Sequence, residues 1–309
     1  MFRPSISADL GTILTFAAAG PVGWIDAGRY RRELATNNYR DHWTWIAEVN
    51  GVPIARAIWW APSGANHPAA LDCLLVKPSV REPEELAAGL LKAAHVAFKA
   101  AGATVLPDYT IDVAVGWHED PRAREAVAWR RGAAQSAGLK SFIERVNFEW
   151  TPGNVLPVPA HELDYRSGTD QEFKDAFARA AEGSLDAQTK RNLAVMGPDG
   201  QAQDDLDFYL CLPGDRAAWR LAFLPSGAPL GFIIPTRTAY DASVSYLGVY
   251  PGQRGRGYIH ELLGEITRVH AASGAPRIVG TTDLANAPML AAFERAGYRI
   301  IKRRLVLTA

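Results

Sequence analysis

The chain has 309 residues, 48% hydrophobic and 21% charged, a globular composition long enough for about two ordinary domains. Lys plus Arg and Asp plus Glu both number 33, so the basic footprint of a nucleic-acid or anionic-membrane binder is missing at whole-chain level. Cys73 and Cys211 stand far apart with no His or Cys at ligand spacing, which leaves a disulfide scaffold and a zinc site without support.

The apolar run 13–19 follows Asp9 and ends at Gly20-Pro21. The acid ahead of it makes a poor signal peptide, and no apolar stretch reaches the roughly 18–20 residues of a membrane span. A soluble, cytoplasmic protein is the expectation. Residues 43–49 and 53–60 read as strands joined at Asn50-Gly51, a hairpin signal. A third strand covers 70–76, closed by Pro78. A helix covers 84–101 with Leu86, Leu90, Leu91, Ala94 and Phe98 on one side. A strand over 113–117, a helix over 122–137 stopped by Gly138 and a strand over 141–150 complete the first half. Pro152, Pro157 and Pro159 then exclude helix and central strand, so an extended linker is expected over 151–160.

The second half repeats the order. Strands over 219–224 and 230–236 flank a turn, and a strand over 244–249 is closed by Pro251. A helix follows with Leu262, Leu263, Ile266 and Val269 at three- and four-residue spacing. A strand over 277–282, a helix over 288–295 ended by Gly297 and a final strand to Leu307 complete it. The reading is two copies of one α/β unit with a mixed (α+β) sheet, spanning 1–150 and 161–309.

The stretch that carries chemistry is Leu247-Gly248-Val249-Tyr250-Pro251-Gly252-Gln253-Arg254-Gly255-Arg256-Gly257-Tyr258-Ile259. A strand enters a glycine-rich turn, and the turn opens a helix. Unpaired backbone N–H groups and the positive end of the helix dipole make such a turn an anion site. Gly255 and Gly257 let the backbone approach a phosphate, and Arg254 and Arg256 add charge. The third glycine of a dinucleotide fingerprint is missing. Taken alone, the motif is also compatible with a plain strand–helix turn bearing solvated arginines.

Val249-x-Pro251-x-x-Arg254-Gly255-x-Gly257 resembles the acyl-CoA pyrophosphate loop of the GNAT N-acetyltransferase superfamily. Asn286, followed eleven residues on by Gly297-Tyr298, is similar to that family's second signature. The resemblance covers 244–300. It implies acetyl-CoA (CoA) as the cofactor, a splayed strand whose backbone near Leu247, Gly248 and Val249 bonds the pantetheine amides, and loop amides that hold the pyrophosphate. The tandem layout resembles actinobacterial double-GNAT proteins such as mycothiol synthase. Two positions depart from the pattern. Ile259 replaces the loop's last small residue, and Phe293 stands where the family often has a tyrosine general acid. In the first half, 76–83 lacks glycine, and Glu82, Glu84 and Glu85 would repel a pyrophosphate. That half reads as degenerate and structural.

Acetyl transfer to an amine needs a group that takes the ammonium proton and a donor for the thiolate. Tyr246 is either such a donor or an ordinary strand aromatic. Asp283, beside Asn286, either meets an amine or caps a helix. Glu182 and Asp186 flank Gly183-Ser184-Leu185 and either border the acceptor pocket or form a solvated turn. His95, His161, His260 and His270 show no metal spacing. The expected function is acetyl transfer from acetyl-CoA to a small-molecule amine. A non-catalytic CoA-binding or regulatory module and a CoA-thioester hydrolase or decarboxylase stand as alternatives.

Overall fold

The computed structural model describes residues 1–16, 20–238 and 240–309, so the last three positions of the apolar run 13–19 lie outside the described residues. The first half runs β1 (Phe2–Pro4), α1 (Leu10–Thr15), α2 (Ala27–Ala35), β2 (Thr44–Val49), β3 (Val52–Trp60), β4 (Ala70–Val76), α3 (Pro83–Ala100), β5 (Asp108–Val113), α4 (Pro121–Ser136) and β6 (Ser141–Trp150). The second runs β7 (Asp164–Arg166), α5 (Asp170–Ala181), α6 (Ala187–Cys211), β8 (Arg220–Phe223), β9 (Pro229–Arg237), β10 (Ala242–Val249), α7 (Tyr258–Ala272), β11 (Ile278–Asp283), α8 (Ala287–Arg295) and β12 (Arg299–Thr308). The element orders match, as the duplication predicts. No helix among the described residues is long and apolar enough to cross a membrane.

The compact units differ from the expected spans. One is Met1–Glu144 with Lys302–Ala309; the other is Arg145–Ile301. The last strand of each half is exchanged. Residues Arg145 to Trp150 of β6 pair antiparallel with β11, and Arg303 to Leu307 of β12 pair antiparallel with β5. The expected linker 151–160 belongs to the second unit and is fastened there. Asn154 Nδ2 donates to Gly297 O at 2.5 Å, and Arg268 Nη1 donates to Pro157 O at 2.9 Å.

In the first unit the β2–β3 hairpin turns at Asn50 and Gly51, both with positive φ, as a two-residue type I′ connection requires. Trp45, Trp59, Leu90, Leu91, Phe98 and Ile111 share one core, with Trp59 edge-on to Phe98 at 5.1 Å. β5 lies at 108–113, where Tyr109, Ile111 and Val113 alternate inward. The expected strand over 113–117 is instead a turn closed by Trp117 N to Ala114 O.

β4 and β5 run parallel and pair only at Ala70 and Leu71. The wedge beyond them is filled by the chain itself. Val22 bridges to Val113, and Gly23 N donates to Asp112 O at 2.6 Å. The buried Arg130 guanidinium donates to Leu74 O at 3.2–3.3 Å. Backbone and guanidinium thus satisfy the strand edges that the wedge would otherwise leave bare.

In the second unit the sheet runs β6-β11-β10-β9-β8-β7. Leu262, Leu263 and Ile266 of α7 are fully buried with Phe148, Leu230, Ile233, Ile278 and Phe293. A second cluster, built on Phe173, Phe177, Trp219 and Phe232, seats α5 and the far end of α6.

Candidate functional site

β10 is paired along β9 as far as Val249, with a bulge at Ser245, but pairs with the parallel β11 only from Ala242 to Val244. Past that point the two strands diverge. The backbone of 246–249 therefore keeps unpaired groups on the β11 side, where buried groups need partners. These residues line a cavity of about 780 Å³. Gly248 is required here, since a Cβ would lie 2.8 Å from both Ala180 Cβ and the Phe232 ring. Absence of a side chain lets α5 close over the strand.

The turn after β10 delivers its donors to the same cavity. Gly257 is the N-cap of α7 with φ 81°, and Gly255 has φ 76°. Among the described residues, the N–H groups of Gly255, Arg256, Gly257, Tyr258 and Ile259 have no backbone acceptor. Four of these residues, Gly255, Gly257, Tyr258 and Ile259, line the cavity, and their donors at the positive end of a 15-residue helix are arranged to hold an anion. A Cβ would meet open space at Gly255 and only an ordinary 3.9 Å contact with His260 Cδ2 at Gly257, so their requirement is the left-handed backbone, not crowding. Ile259 is half-buried against the α7 core and leaves the backbone donors in place.

Arg254 does something other than add free charge. Its Nε donates to Val249 O at 2.9 Å, Nη1 to Glu182 O at 2.6 Å and Nη2 to Ala180 O at 2.7 Å. It clamps the last turn of α5 to the end of β10 by charge-assisted bonds to carbonyls. Arg256 reaches only Gln253 Oε1, at 3.4 Å, and stays outside the cavity wall.

The other end of the cavity is built by α6. Gly197, with φ 71° and ψ 177°, and Pro198 break it into two arms. Gln188, Thr189 and Asn192 come from the first arm, and Asp204, Asp205, Phe208 and Tyr209 from the second. Asp186 caps the first arm, accepting from Thr189 N at 2.8 Å and Thr189 Oγ1 at 3.1 Å. Asp205 accepts from the fully buried Gln201 and lines the same wall as Tyr246, whose hydroxyl interacts with it. Burial, followed by repulsion from Asp204 and Asp186, pushes the Asp205 carboxyl up to about 7. The Tyr246 ring stacks on Tyr209 at 5.1 Å and meets Phe232 edge-on at 4.9 Å. Burial and then Asp205 raise the Tyr246 hydroxyl well above its ordinary range, so it holds its proton.

Of the residues singled out from sequence, the cavity brings together Tyr246, Leu247, Gly248, Val249, Arg254, Gly255, Gly257, Tyr258, Ile259, Asn286 and Phe293. Asp283 is not in that wall. Its Oδ2 accepts from Ala187 N at 2.7 Å and its Oδ1 forms an ion pair with Arg145, 3.0 Å from Nε, so both oxygens hold α6 and β6 rather than meet a ligand. Glu182 is exposed and contributes its carbonyl to Arg254. Asn286 caps α8, with Oδ1 accepting from Met289 N at 3.4 Å. Phe293 is buried, stacked on Phe148 at 4.5 Å, and has no proton to give. Sequence reading missed Asp205. The only signal was its place in a Gln201–Asp205–Tyr209 stripe at helical spacing.

No curated protein sequence is significantly similar to the chain. Residues 198–298 match the model of the acetyltransferase (GNAT) family. In structure, all of this chain aligns with 95% of a GCN5-related N-acetyltransferase from Sphaerobacter thermophilus, at 17% identity and a TM-score of 0.59. A fungal multi-domain GH3 β-N-acetylglucosaminidase with a GCN5-related glucosamine N-acetyltransferase region aligns over 99% of this chain and 38% of its own, at 14% identity and a TM-score of 0.57. A tandem GNAT protein from the clavulanic acid biosynthesis pathway aligns over 100% and 98%, at 18% identity and a TM-score of 0.49. The splayed strand and the donor-lined turn lie inside the stretch of the second unit that matches the acetyltransferase (GNAT) family model.

Proposed function

We propose that the second unit transfers an acetyl group from acetyl-CoA to the amine of a small molecule. The observation that carries this reading is one cavity with two chemically distinct ends. At one end the freed edge of β10 leads straight into the N–H donors of Gly255, Gly257, Tyr258 and Ile259 at the head of α7. At the other, carboxylates and tyrosines face the same space. When bound there, acetyl-CoA supplies an activated acetyl group. Residues Leu247 to Val249 are suited to bond its pantetheine amides, and the N–H groups of 255–259 to hold its pyrophosphate. Tyr246 is the proton donor for the thiolate in this reading, since Phe293 offers no hydroxyl and a phenol donates at neutral pH. Asp283 acts at one remove, holding the first turn of α6 through Ala187 N. Cofactor binding is assigned to the second unit alone, because the corresponding wedge of the first is filled by Val22, Gly23 and Arg130.

The test is a panel of small amines with acetyl-CoA, following free thiol. Release that depends on an amine supports transfer. Release without an amine makes the protein a thioesterase-type enzyme, and CoA binding without release over the whole panel makes it a binding module.

A further inference from the structure

Three carboxylates line the acceptor end of the cavity, and two are already engaged. Asp186 spends one oxygen on the Thr189 N-cap bonds and turns the other toward Arg145 Nη2 at 3.5 Å. Asp204 is exposed and accepts from Asn192 Nδ2 at 3.2 Å. Arg145, the cation in this part of the wall, is bound between Asp186 and Asp283. Asp205 differs from both. It has no basic partner among the described residues: its hydrogen bond comes from a neutral group, the Gln201 amide, and the Tyr246 hydroxyl that interacts with it is neutral too. Gln201 is fully buried inside α6. Placing a polar amide there costs desolvation, and the bond it makes is to this carboxylate. Tyr246 is in turn held by its stack on Tyr209, whose hydroxyl donates to Ser245 O at the β10 bulge at 3.4 Å. A carboxylate and a phenol thus line the same part of the cavity, where β10 leaves β11.

Resting on the acetyl-transfer reading above, we propose that Asp205 is the general base of the second unit, taking its proton from a cationic primary amine and returning it to the thiolate through the Tyr246 hydroxyl. The ammonium gives one proton to Asp205, and the free amine nitrogen forms a bond to the thioester carbonyl carbon. As the carbon–sulfur bond breaks, the Tyr246 proton goes to sulfur and the Asp205 proton refills Tyr246. The remaining excess proton on nitrogen passes to Asp205 and leaves to solvent, so each turnover yields amide, free thiol and one proton. A carboxylate whose pKa lies near physiological pH suits this task, since it can both accept and release a proton there. Burial, Asp204 and Asp186 keep the Asp205 carboxyl near neutrality. The titrating and charged neighbours around it are Asp186 at the α6 N-cap, Asp204 and Tyr209 on α6, Tyr246 on β10 and Arg145 on β6. His260, also in the cavity wall, is pushed below its ordinary value by burial, so a step near pH 7 is separable from it.

The experiment has two readouts. In the unliganded protein, infrared difference spectra between pH 5.5 and 8.5 should show one protonated carboxyl band disappearing with a midpoint near 7, and Asp205→Asn should lack it. With an accepted amine, Asp205→Asn should lower kcat by roughly 10²–10⁴-fold and flatten the rising limb of kcat/KM, with CoA affinity within about twofold of wild type. Tyr246→Phe should lower kcat while the carboxyl band persists. A carboxyl band that survives Asp205→Asn, or a kcat unchanged by it, overturns the proposal. Absence of amine-dependent turnover in the wild type removes the acetyl-transfer reading itself, and this proposal with it.

Discussion

Asp205→Asn should stabilise the second unit, and the gain should grow with pH. The folded chain holds the Asp205 carboxyl up at about 7 against an ordinary value of 3.8. Between these values the folded state keeps a proton that the unfolded state has released, so stability falls as pH rises through the window and the penalty is complete above pH 7. At 1.36 kcal/mol per pH unit the displacement corresponds to a ceiling of about 4 kcal/mol. Water reaches the cavity and relaxes the burial cost, which brings the expected penalty to about 1–3 kcal/mol. Asparagine keeps an acceptor for Gln201 and removes the charge, so its advantage should be small at pH 4 and reach that range at pH 8. The assay is hydrogen exchange of the buried amides of β9 and α7, with peptides of the first unit as internal control. At 1.4 kcal/mol per factor of ten, the variant should show roughly 5–150-fold greater protection at pH 8 after correction for intrinsic exchange rates. A variant advantage that does not change with pH, or a less protected variant at pH 8, would refute the reasoning.

Gly257→Val forces a β-branched residue into φ 81° and should cost about 1–3 kcal/mol locally, lowering CoA affinity at least tenfold by calorimetry; Gly257→Asn, which tolerates the left-handed region, should retain more of it. Arg254→Met removes three bonds to backbone carbonyls and should destabilise the second unit by about 2–4 kcal/mol, whereas Arg256→Ala should leave the melting temperature within a degree. If the two arginine variants melt alike, the clamp is misassigned. Calorimetry should give one CoA per chain, and two equivalent sites would contradict the filled wedge of the first unit.

Much of the fold was readable from local pattern. Asn50-Gly51 can take the positive φ angles of a tight hairpin, Leu262, Leu263 and Ile266 repeat with the period of a buried helix face, and Gly255 and Gly257 announce a left-handed turn at a helix head. These features depend on a few consecutive residues, so the sequence by itself determined them, along with the repeated element order and the glycine-rich turn that opens α7. α6 was not readable, because Gly197-Pro198 interrupts it and its wall-forming residues Gln188, Asn192, Asp204 and Asp205 are polar, which erases the apolar stripe that marks a helix. Strand exchange was equally hidden: residues 141–150 and 299–308 have strand patterns whichever sheet they join, and the partner is chosen by contacts more than a hundred residues away in sequence. The same holds for single side chains. Arg254 reads as a phosphate ligand until the carbonyls of Ala180 and Glu182 are brought to it, and Asp283 reads as a ligand until Arg145 and Ala187 take both its oxygens. Asp205 became distinctive only when burial, Gln201 and Tyr246 surrounded it, because a carboxyl's protonation is set by the dielectric and charges of its folded surroundings, which no short stretch of sequence contains.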